Sequence, residues 1–70
     1  MSLYPFTIDY SKANSEDIRK IEEIIDRISF NGLHSNPINR VGTFFLYENK
    51  LPEDVIFPEG CCIRPGLAEM

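Results

Sequence analysis

Five isoleucines, Ile18, Ile21, Ile24, Ile25 and Ile28, recur at helical spacing in a stretch whose other positions are mostly charged. At 100° per residue they form a stripe about 120° wide. Arg19, Lys20, Glu22, Glu23, Asp26 and Arg27 take the opposite side. A short helix with one isoleucine face needs an apolar layer to rest on. The spacing predicts a helix over residues 15–30. Asn14 or Ser15 can cap it, Glu16 and Asp17 complement its dipole, and Asn31-Gly32 can stop it. Glu16–Lys20 and Glu23–Arg27 are favourable i,i+4 pairs. The stripe could instead make this a partner-binding helix, but strands nearby need cover, which favours core packing.

Two segments offer that layer. In residues 3–10, Tyr4, Phe6, Ile8 and Tyr10 alternate with Pro5, Thr7 and Asp9, the period of a half-buried strand. Pro5 cannot donate to a ladder, so the strand begins after it or lies at an edge there. Val41-Gly-Thr-Phe-Phe-Leu-Tyr47 is apolar on both faces. Residues 33–40 carry many turn formers and are expected to be a loop holding the lone His34. Residues 51–57 are ambiguous: Pro52-Glu53-Asp54 suits the first turn of a helix, whereas Val55-Ile56-Phe57 suits a strand. Cys61–Arg64, after Gly60, suits a short strand returning against 41–47, and a frayed tail is expected from about residue 66.

The simplest assembly is α+β: one amphipathic helix on a sheet of about three strands, in the order β-α-β-β. A single domain spanning residues 1–70 is expected, since no linker or repeat is visible. The first strand could join the second in parallel through the helix, by a right-handed crossover. This assembly has a surplus. Gly42, Phe44 and Leu46 suit the helix side, with Gly42 admitting the isoleucines. Val41, Phe45 and Tyr47 then fall on a face that the single helix leaves bare. Either Leu51, Ile56 or Phe57 folds back over them, or they form an apolar patch for a partner.

The chemistry visible in the chain is sparse. Cys61 and Cys62 are adjacent, which disfavours a bond between them. At least one of them reads as small apolar filler. His34 is the one histidine, so a Cys–His pair has no supporting spacing and zinc spacings are absent. No glycine-rich phosphate loop occurs. No enzyme activity, cofactor or metal is expected. The 70 residues carry a net charge of −4. Residues 1–31 hold four basic and six acidic groups, and residues 32–70 three and five. No basic half is therefore hidden, and direct nucleic-acid binding is disfavoured. No apolar run approaches the roughly 18–20 residues of a membrane span, and no secretory signal is visible. A cytoplasmic protein with reduced thiols is expected.

What remains is interaction. The expectation is a small regulator or inhibitor that binds another protein, of the kind common among bacterial and phage accessory proteins of this size. Val41, Phe45 and Tyr47 would form its contact face, and Glu53, Asp54 and Glu59 would steer a partner with a basic surface. The alternative is a structural subunit or obligate homodimer whose surplus face is a self-interface.

Overall fold

Asn14 is the residue that starts the helix. Its backbone is extended, and its side-chain oxygen accepts a hydrogen bond from the Asp17 amide at 2.9 Å. In the computed structural model, which describes residues 2–67, this begins helix α1 (Ser15–Ile28). Glu16 and Asp17 lie in its first turn and Arg27 in its last. Ser29 ends it: its hydroxyl and its amide both donate to the Ile25 carbonyl, at 2.6 and 2.9 Å. The helix thus stops before Asn31-Gly32. Those two residues do adopt left-handed backbone, with φ of 66° and 71°, but they spend it on a strand irregularity.

Four strands accompany the helix: β1 (Tyr4–Asp9), β2 (Phe30–Asn36), β3 (Val41–Leu46) and β4 (Cys62–Pro65). Their order across the sheet is β2-β3-β1-β4, and every neighbouring pair is antiparallel. The α+β class holds, with four strands instead of about three. Three expectations are corrected. Residues 33–36 belong to strand β2, so only 37–40 turn the chain. Asn36 closes that turn, its side-chain oxygen accepting from the amides of Ile38 (2.8 Å) and Asn39 (3.3 Å). Next, β1 lies antiparallel to β3. The strand that runs parallel to β1 through the helix is β2, and β3 sits between them. Finally, β4 pairs with β1 and not with β3, whose other side is already taken by β2.

The strands alternate faces, so Phe6, Ile8 and Tyr10 of β1 and the turn beyond it share a side with Phe44 and Leu46. These residues are buried, together with Ala13 and with Ile21 and Ile25 of the helix. The rings of Phe6 and Phe44 stack with centroids 5.6 Å apart. The isoleucine stripe is therefore core, with Ile18 and Ile28 packed at its margin. Gly42 admits a neighbour other than the one expected: a Cβ there would stand 2.6 Å from Leu33 Cδ1 and 3.1 Å from the His34 carbonyl oxygen, both in β2. Residues 51–58 form neither helix nor strand. A single turn runs from Pro52 to Val55, and Leu51 and Phe57 pack against the core.

Pro5 sits inside a central strand, which a proline disfavours. Its carbonyl accepts from the Gly66 amide at 2.9 Å, but it has no N–H to return to the Gly66 carbonyl. Thr7 supplies the missing donor: its hydroxyl reaches the Gly66 carbonyl at 2.7 Å. Thr7 is 2% exposed, so this bond is shielded from water. Thr7→Val is expected to lower stability by about 1–2 kcal/mol, because a shielded acceptor loses its donor. Thr7→Ser should retain most of it. Urea denaturation of the two variants checks this, and equal midpoints would show that the hydroxyl does nothing. The expected frayed tail falls partly on residues 68–70, which lie outside the described residues.

Candidate functional site

The period of two that buries Phe6 and Phe44 turns the intervening residues outward. Register sets them in rows across the outer face. One row is Phe30, Phe45 and Pro5. The next is His34, Thr43, Thr7 and Arg64, and the third is Asn36, Val41, Asp9 and Cys62. Tyr47, just past β3, meets Phe30 edge to face with ring centroids 5.9 Å apart. Phe30 is 42% and Tyr47 53% exposed, so the aromatic corner is open.

The segment that could have closed it borders it at Pro52, which lines a hollow with Tyr47, and otherwise packs elsewhere. Leu51 and Phe57 are committed to the helix-side core. Ile56, 85% exposed, borders a hollow with Lys20, Glu23, Ile24, Arg27 and Pro58 along the helix flank. The expectation that Leu51, Ile56 or Phe57 folds back over Phe45 and Tyr47 is therefore not met among the described residues.

Val41 and Phe45 share the outer face, and Tyr47 stands at its aromatic corner. Glu53 and Asp54 are exposed on the turn after Pro52. Glu59 is exposed next to Gly60, which packs on the Lys12–Ala13 backbone at the opposite end of β1. Of the three carboxylates it is therefore Glu59 that stands away from the aromatic corner, whereas Glu53 and Asp54 follow Pro52, which lines a hollow with Tyr47. Phe30 joins the site without having been expected there. A signal for it existed: two residues past Ile28 it falls 200° round the helix, among the charged positions, where a phenylalanine is out of place. The sequence marks Pro5 as a break in the ladder, and its register beside Phe45 makes it part of the apolar row as well.

The titratable groups are dispersed. Asp9 accepts from the Ser11 amide (3.0 Å) and hydroxyl (2.8 Å). These bonds hold its carboxyl below the usual range, with Arg64 and Lys12 adding to the effect. Cys61 donates its thiol to the Pro58 carbonyl at 3.0 Å. Burial pushes that thiol up, helped by Cys62 and Asp17, which keeps it protonated near neutral pH. Cys61 packs against the core as apolar filler, while Cys62 is exposed. His34 and Cys62 sit on opposite edge strands, three strand spacings or about 14 Å apart. A hollow of about 500 Å³ beside the β2–β3 hairpin contains His34 as its one titratable side chain. Among the described residues no group of three His, Cys, Asp or Glu side chains could hold a metal ion. No helix there is long and apolar enough to cross a membrane.

Comparison with protein-family models, with curated proteins and with solved structures finds no match for this chain.

Proposed function

We propose that this chain is a non-catalytic binding protein of the cytoplasm, a small regulator or inhibitor that docks to protein through the outer face of its sheet. The observation that carries this reading is the open corner where exposed Phe30 and Tyr47 meet, beside the half-buried Phe45. Tyrosine and phenylalanine are enriched in the cores of protein interfaces, where their area is buried at little entropic cost. The sheet edges are poorer templates than the face. β2 is interrupted by the left-handed Asn31 and Gly32, and β4 is four residues long and carries Arg64 and Pro65. Glu59 stands at the other end of β1 from the aromatic corner, which makes it secondary to docking.

The test uses a tagged chain on immobilised support, exposed to extract from the source cells. Proteins retained by the wild type are expected to be lost with Phe45→Glu and kept with Glu59→Lys. Amide exchange must show both variants folded. Identical retention by the wild type and a folded Phe45→Glu would remove the face from consideration.

A further inference from the structure

We infer that the hollow beside the aromatic corner grips an arginine side chain of a basic partner protein. The inference rests on the reading of that corner as a docking surface and names what the corner holds. The hollow has a volume of about 310 Å³ and is lined by Ile28, Leu46, Tyr47, Glu48, Lys50 and Pro52. It lies where the end of α1 meets the end of β3. The Gly66–Leu67 segment that shields Thr7 follows β4, two strands away from β3.

The lining suits both parts of an arginine. Ile28, Leu46 and Pro52 offer apolar surface to the methylene stem. Tyr47 is exposed, and its edge-to-face contact with Phe30 props a ring beside the hollow on which a guanidinium can stack. Glu48, exposed and next in the chain, can accept the paired N–H donors of the guanidinium. The turn closed by the Val55 amide on the Pro52 carbonyl, at 3.3 Å, carries the exposed Glu53 and Asp54 alongside.

Charge selects the occupant. The last turn of α1 carries Asp26 and Arg27, and residues 48–54 carry Glu48, Lys50, Glu53 and Asp54. Residues 3–5 of β1 and its approach and residues 30–33 of β2 carry none, so acidic groups outnumber basic ones by four to two around the hollow. The carbonyls at the end of α1 add partial negative charge. Other hollows lack this excess. The one on the helix flank is bordered by Lys20 and Arg27 against Glu23, and the one beside the β2–β3 hairpin by no carboxylate. Arginine fits better than lysine because its planar guanidinium stacks on rings and is more weakly hydrated.

Titration of N-acetyl-arginine methylamide into the full chain, followed by amide chemical shifts, tests this. The shifts are expected to saturate and to cluster at Ile28, Leu46, Tyr47 and Glu48. The citrulline counterpart, similar in shape but uncharged, should bind at least about tenfold more weakly. Glu48→Lys should weaken binding by about three- to tenfold, and Lys50→Glu should strengthen it by about two- to fivefold. Tyr47→Leu keeps apolar area but removes the ring, and should weaken binding by about threefold. Glu59→Lys should change nothing. Shifts that do not saturate, that scatter over other carboxylates, or that citrulline reproduces equally overturn the inference, as does binding indifferent to both Glu48 and Tyr47. Proteins from extract that are lost with Phe45→Glu but kept with Glu48→Lys would sink the arginine site alone. A retained set indifferent to both would sink the docking face itself.

Discussion

Replacing Phe44 with alanine is expected to destabilise the protein by about 3–5 kcal/mol. A chain of 70 residues has a total stability of about 3–10 kcal/mol, so the variant should be partly or wholly unfolded at room temperature. The reasons are local. Phe44 is fully buried, lies opposite Phe6 in the register of the central strand pair and stacks on its ring. The cavity would open between the sheet and the buried isoleucines of α1, where neither layer can close it cheaply. Phe45→Ala, one residue along and facing the other way, should cost no more than about half as much, because its ring is already partly in water. Equilibrium denaturation of the pair is therefore a test of which face is core. If Phe45→Ala proves the costlier change, the assignment of faces is inverted and the docking surface goes with it.

Gly60→Ala should cost about 2–4 kcal/mol, from two separable sources. The backbone at Gly60 has a φ of 92°, which an L side chain opposes by about 1–2 kcal/mol. The added Cβ would also stand 3.0 Å from the Lys12 carbonyl oxygen and 3.1 Å from the Ala13 backbone. Backbone cannot step aside as a side chain can, and overpacking of this kind costs about 1–3 kcal/mol. Gly66 is the control: its φ is 104°, yet a Cβ there meets nothing within 4 Å. Gly66→Ala should show the conformational part alone. The difference between the two urea midpoints measures how tightly Gly60 seats the chain against the turn before α1. Equal midpoints would mean that the contact yields and that Gly60 serves the backbone only.

The helix and the two inner strands were legible because each has a buried face with its own period. Ile18 to Ile28 repeat at helical spacing, and Tyr4 to Tyr10 and Val41 to Tyr47 at strand spacing. β2 was not legible for a physical reason. It is an edge strand with a bulge, so Leu33 is its single aliphatic residue and no alternation survives. The partner of β4 was beyond reach for a different reason. Ile63 could have paired with either side of the inner strands, and the choice was made by β2 occupying the far side of β3. The outer positions of Val41 and Phe45 followed from period two, whereas Phe30 depended on where the helix stops. Ser29 decides that through bonds to Ile25, two residues before the turn formers Asn31-Gly32.

The bond from Thr7 to the Gly66 carbonyl joins residues 59 apart in the chain. β1 is flanked by β3 and β4, both of which come after the helix in sequence. The first strand of the chain is therefore the last to acquire its full set of neighbours. Until residues 62–65 arrive, one side of β1 is an open edge, and the adjoining core is sealed on one flank only. Pairings of such long sequence separation slow folding, since loop-closure entropy is spent before any contact repays it. The waiting edge on β1 is a place where an incomplete or locally unfolded chain would recruit a strand from a neighbour.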